Sequence, residues 1–73
     1  MDEHVRRDWG RRLRSRRSNF FTQEKLAEIV GTDQSIISKI ETGNPNYRIS
    51  DDMKWKIAGA LGCTVDDIFP YPA

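Results

Sequence analysis

The sequence predicts an all-α fold, a compact five-helix bundle containing a helix-turn-helix, and three observations predict it. Apolar residues recur every three or four positions in each segment, the period of one helix face. Small polar residues that cap helices precede most of these segments, and glycines that end helices follow several. No stretch shows the period-two alternation of a strand. At 73 residues the chain forms one domain, 1–73, and at this size folding hides only about 60% of the unfolded surface. The core is therefore small.

Val5, Trp9 and Leu13 recur every four residues and give a first helix a narrow apolar stripe among arginines. Ser18 and Asn19 interrupt it, and Phe20 and Phe21 lead into the next cap. Thr22 caps a second helix, Gln23–Val30, with Glu24 placed favourably in its first turn and Leu26, Ile29 and Val30 on one face. Gly31 suits the left-handed turn that ends it. Asp33 is expected to cap a third helix over 34–42, burying Ile37 and Ile40 and stopping at Gly43. Residues 44–48 read as a loop. Ser50 caps a fourth helix over 51–61, with Met53, Ile57, Ala60 and Leu61 as its inward stripe and Gly62 after it. Thr64 caps a short fifth helix over 65–69, carrying Val65, Ile68 and Phe69 inward before Pro70 and Pro72 stop it.

Composition excludes several classes of function. A single cysteine, Cys63, excludes an internal disulfide, and with the lone His4 it cannot supply a structural zinc site. No apolar run approaches the ~20 residues of a membrane span, and no secretory leader follows the basic start. A soluble cytoplasmic domain with no cofactor is expected. The net charge of +1 points to no partner, but its distribution does. Residues 1–48 carry ten Lys/Arg against seven Asp/Glu, and residues 49–73 carry two against four. A phosphate-facing surface therefore belongs to the first two thirds.

Residues 23–42 carry the functional signal. Two helices separated by a three- or four-residue turn containing glycine form a helix-turn-helix. With Gln23 as the first position, such a pair needs apolar residues at the fourth, eighth, fifteenth and eighteenth places. It needs a small residue at the fifth and suits glycine at the ninth. Leu26, Val30, Ile37, Ile40, Ala27 and Gly31 stand there. With Ile37 and Ile40 inward, Ser35, Ser38, Lys39 and Thr42 point outward, flanked by Gln34 and Ile36. This face is short, polar and nearly free of acid, as a helix entering a major groove requires. Gln bonds adenine N6 and N7, Ser takes either role, Lys reaches guanine O6/N7, and Ile36 can touch a thymine methyl.

These segments resemble the helix-turn-helix domain of the lambdoid phage repressor/Cro class, the xenobiotic-response-element family. The resemblance spans residues 10–69, roughly four fifths of the chain, and the motifs that carry it lie at residues 22–27, 31–35, 37–43 and 57–69. The resemblance implies a lambda-repressor-like five-helix domain that binds double-stranded operator DNA, commonly as a homodimer on two-fold related half-sites. It implies that Gln23 braces against phosphate and against Gln34, that Gln34, Ser35 and Lys39 read bases, and that Thr42 approaches the backbone. It implies an ion pair between Glu41 and a first-helix arginine, here Arg17. Ser38 is added as a base reader, and Thr22, Asn44, Arg48 and Arg12 as backbone contacts. Two departures from the family pattern stand out. The connection between Leu13 and Gln23 is one residue short, with Phe20 and Phe21 in place of the customary glycine, and the loop 44–48 is long.

Blander readings cover the remaining features. Arg6, Arg7, Arg11 and Arg12 read as solubilising or weakly attractive charge. Asp51, Asp52, Asp66 and Asp67 lie in first helical turns and complement the helix dipole rather than forming metal sites. Trp9, Trp55 and Tyr47 read as packing residues and Cys63 as a buried small side chain. The chain is not expected to be an enzyme. The function expected is a sequence-specific transcriptional regulator, a repressor of phage or bacterial origin. The alternative is an antitoxin of the same fold that binds a toxin protein and controls its own operon.

Overall fold

The computed structural model describes residues 3–71, and every regular element among them is a helix. In chain order these are α1 (Glu3–Ser18), α2 (Gln23–Val30), α3 (Gln34–Glu41), α4 (Asp51–Ala60) and α5 (Val65–Ile68). α3, α4 and α5 each end one residue earlier than the sequence suggests, because Thr42, Leu61 and Phe69 serve as C-caps. Pro72, expected to help stop the last helix, lies outside the described residues.

The core gathers one stripe from each helix: Trp9 and Leu13 from α1, Leu26 and Val30 from α2, Ile37 and Ile40 from α3, Ile57 from α4, and Ile68 with Phe69 at the chain's end. Full burial of side chains such as Phe69 and Ile68 contributes roughly 1.5–3 kcal/mol each, so even the four-residue α5 is held by what it delivers to the interior. Trp9 meets the edge of Phe69 with ring centres 5.6 Å apart, a favoured aromatic geometry.

α1 lies across α3 and fixes the recognition unit against the rest of the bundle. The crossing runs through Gly10, where an added Cβ would stand 2.2 Å from the carbonyl oxygen of Glu41. A glycine inside a helix costs roughly 0.5–1 kcal/mol against alanine; here it permits an approach no side chain would allow.

Four expectations are corrected. Asp33 has the extended backbone of a cap but makes no side-chain cap bond; the Asp33 carbonyl closes the turn by accepting from Ile36 and Ile37. Ile29 is exposed, because α2 is covered on a narrower face by α3 and α4. Trp55 is not a packing residue: it is 70% exposed, on the side of α4 opposite Ile57 and Ala58. Cys63 is only half-buried, though partial desolvation pushes its thiol pKa up.

Candidate nucleic-acid interface

The turn between α2 and α3 forms as its residues dictate. The Thr22 hydroxyl accepts from the Lys25 amide at 3.1 Å and starts α2. Gly31 ends it in the left-handed region at φ 77°, and the Thr32 amide returns to the Ala27 carbonyl at 2.8 Å. Leu26, Ala27, Val30, Ile37 and Ile40 are all buried, so α3 lies against α2 with its other side outward. Gln34, Ser35 and Lys39 are exposed along that side and Ser38 is half-exposed. Ile36 is partly drawn under, packed against the core.

Behind this face runs a chain of hydrogen bonds from the interior to the surface. The Arg17 guanidinium forks onto Glu41: Nε donates to Oε2, and Nη2 donates to Oε1 at 3.1 Å. The Glu41 side chain is 2% exposed. The Gln23 amide donates to the same Oε1 at 3.0 Å, and the Gln34 amide donates to Gln23 Oε1 at 3.4 Å. Arg17 Nη1 donates to the Phe21 carbonyl at 2.8 Å, while the Phe20 and Phe21 amides both return to the Arg17 carbonyl. That tight turn is how the shortened connection still delivers Arg17 to Glu41. Charged, two-pronged bonds of this kind fix geometry as well as adding energy.

The expected backbone contacts divide. Thr22, Thr42, Arg12 and Arg48 are exposed and Asn44 is half-exposed. Arg12 is held by Asp8 at 2.8 Å on the outer side of α1. The Thr42 hydroxyl turns back to donate to the Ser38 carbonyl at 3.0 Å, leaving only its lone pairs outward. Asn44 Oδ1 accepts from the Asn46 amide at 2.8 Å, which folds the loop on itself.

Two residues position this face in a way the sequence did not reveal: Gly10, and Arg6, which was read there as merely solubilising charge. Arg6 donates to the Asn44 carbonyl at 3.3 Å and to the Tyr47 carbonyl, tying the loop 44–48 to α1. Gly10 sets the α1–α3 crossing. An isolated glycine within an arginine-rich helix was the available signal for Gly10; no spacing rule marks Arg6.

A family model described as Helix-turn-helix matches residues 16–68. The chain belongs to the Cro/C1-type helix-turn-helix family. It is therefore a DNA-binding transcription regulator and not an enzyme. Among curated relatives, the uncharacterized HTH-type transcriptional regulator YazB of Bacillus subtilis is 37% identical over 65 residues, covering 85% of this chain and 88% of YazB. The restriction-modification controller protein C.AhdI from Aeromonas hydrophila has a similar structure, with a TM-score of 0.77 and 31% identity over 86% of this chain and 94% of its own. The hypothetical transcription factor NHTF from Neisseria superposes with a TM-score of 0.80 at 28% identity, covering 99% of this chain and 83% of NHTF. The clp gene regulator ClgR from Corynebacterium glutamicum reaches 0.78 at 29% identity, over 88% of this chain and 67% of its own. No helix among the described residues is long and apolar enough to cross a membrane.

Proposed function

We propose that this regulator is a sequence-specific repressor that works by occupancy in the bacterial cytoplasm, as a homodimer on two-fold related half-sites. α3 enters the major groove. Gln34, Ser35, Ser38 and Lys39 read base edges, and Ile36 offers its exposed edge to a thymine methyl. Thr22, Gln23, Thr42, Asn44, Arg48 and Arg12 face the phosphate backbone. Thr42 and Arg12 are the weakest of these, since one has turned its hydroxyl hydrogen inward and the other is held by Asp8. ClgR, a clp gene regulator, and C.AhdI, a restriction-modification controller protein, accord with gene control as the task.

The observation that carries this reading is the hydrogen-bond chain Arg17–Glu41–Gln23–Gln34. A solvated helix face has no use for a buried ion pair that orients its first exposed glutamine. A base reader does, because a bidentate contact to adenine needs the amide held in one plane before DNA arrives. One half-site buries little surface, so tight binding calls for two copies.

The test is selection of bound duplexes from a random pool, followed by binding measurements on the selected site. Gln34→Ala should weaken binding by roughly 1–3 kcal/mol and relax preference at one base step. Arg48→Ala should weaken all sequences alike and reduce the salt slope by about one. An equal loss on every sequence for Gln34→Ala removes it as a reader, and a one-to-one complex on the selected duplex removes the dimer.

A further inference from the structure

A cavity of about 320 Å³ opens between the N-terminal half of α1, the segment entering α4 and the tail after α5. Trp9 and Tyr71 wall it. Arg6, Arg48 and Lys54 bring three positive charges to its lining against the single carboxylate of Asp51, a balance of +2. None of Gln34, Ser35, Ser38 or Lys39 lines it, so it is separate from the base-reading face of α3 and shares only Arg48 with the proposed backbone contacts.

Lys54 is the telling member. It is 4% exposed, with its ammonium 4.5 Å from the centre of the Trp9 ring and 4.8 Å from that of Tyr71. It donates to the Tyr71 hydroxyl at 3.1 Å. Among the described residues the carboxylate oxygen near it belongs to Asp51, at 3.9 Å, and that side chain is 90% exposed. Two ring faces and one hydroxyl replace part of the water a buried ammonium gives up, and among the described residues no closer counter-charge than Asp51 completes it. Arg6 spends its guanidinium on backbone carbonyls, and Arg48 stands exposed at the rim.

From this geometry we propose that the cavity binds a small organic anion, its carboxylate or phosphate against Lys54 and Arg48 and its planar apolar body against Trp9 and Tyr71. The volume lies at the lower end of small-molecule sites, whose walls are mostly apolar with a few placed polar groups. A duplex phosphate has the same headgroup chemistry, but a DNA backbone rides on the protein's outer surface. It can meet Arg48 and cannot seat on a lysine as recessed as Lys54. Where Arg48 also serves the backbone, as proposed above, an occupied cavity competes for it and loosens operator binding; this consequence alone rests on that reading.

The full chain, labelled with nitrogen-15, gives the test. The Trp9 indole N–H donates to the Pro70 carbonyl at 2.7 Å and reports on the cavity, while the exposed Trp55 indole is the internal control. Benzoate or phenyl phosphate should shift the Trp9 signal saturably with Kd below about 1 mM, leaving Trp55 in place, and neutral benzamide should not. Lys54→Met should weaken binding at least about tenfold, as loss of the central charge implies. Arg48→Gln should weaken it several-fold, and being exposed it decides the matter should Lys54→Met not fold. The proposal is overturned by no saturation up to about 10 mM, by equal response to benzamide, or by indifference to the substitutions. It is also overturned if a short non-operator duplex displaces the probe and itself shifts Trp9, which assigns the site to DNA. A probe that binds as expected while operator affinity stays unchanged removes the coupling to DNA and upholds the site.

Discussion

Among its described residues the bundle buries two cations and satisfies them in opposite ways. Arg17 lies where α1 crosses α3, with a buried carboxylate filling two prongs of its guanidinium, a backbone carbonyl taking a third, and Gln23 sharing the same carboxylate. Lys54 lies at the other end of α1, between two aromatic rings, with one hydroxyl and a distant exposed carboxylate. The planar fork of arginine suits the first environment and the compact ammonium of lysine the second. A closed network specifies one geometry and passes it to Gln34. An open one leaves room beside the charge. The recognition face is thus built beside a buried cation whose counter-charge is buried with it, and the cavity beside one whose nearest recorded counter-charge is exposed.

The contrast breaks most visibly at Glu41. Glu41→Ala strands a buried arginine and should cost about 3–5 kcal/mol in urea unfolding. Replacing both partners, Arg17→Met with Glu41→Leu, should recover most of that loss. The double variant should still bind DNA poorly, since Gln23 has lost the acceptor that holds it. A double variant as unstable as the single one would mean that the pair is not the source of the cost. Next in size is Gly10→Ala, which drives a methyl to 2.2 Å from the Glu41 carbonyl oxygen and should cost roughly 1–3 kcal/mol by forcing α1 off α3. An unchanged melting temperature would mean the crossing is loose enough to part.

Lys54 should behave differently. Lys54→Met keeps the long apolar stem that packs on Trp9 and removes a charge with no close counterpart, so stability should change by less than about 1.5 kcal/mol. A loss as large as that of Glu41→Ala would show that the rings and the Tyr71 hydroxyl satisfy the ammonium fully, and the contrast between the two cations would vanish.

The same contrast sets what could be read from the sequence. The helix-turn-helix is local: six packing positions within residues 23–42 and a left-handed glycine between them lie in one continuous window, so spacing reveals them. Arg17 and Glu41 are 24 residues apart, and only the family pattern joins them. Lys54 stands at the spacing of the inward stripe of α4, one turn before Ile57 and Ala58, and a lysine there signals either an error of register or a buried charge. Its cage is formed by Trp9 and Tyr71, 62 residues apart, which no window connects. Trp55 and Ile29 misled for the complementary reason. Hydropathy says a side chain prefers burial, but whether a neighbour covers it is a matter of tertiary packing.

A third charged site is neither closed nor recessed, and it gives the smallest effect. The Asp67 carboxylate accepts from the Thr64 amide at 2.9 Å while the Thr64 hydroxyl accepts from the Asp67 amide at 3.3 Å, a reciprocal cap on α5. The bond from the Thr64 backbone amide is the main cause holding the Asp67 pKa below the ordinary carboxylate value, with the Thr64 side chain next and Arg16, at 3.8 Å, adding less. Because the folded value is the lower one, the unfolded chain takes up the proton first as pH falls. The contribution is complete above the ordinary aspartate range, at about pH 5 and higher, and disappears as the pH drops through the folded value. The melting temperature of Asp67→Ala should therefore lie slightly below that of the wild type at neutral pH, and the gap should close on acidification toward about pH 3. A gap that stays constant across that range would mean the cap works through its hydrogen-bond geometry alone, without the charge. The site is open to water and screened, so only its pH dependence, and not its size, separates it from the closed network around Arg17.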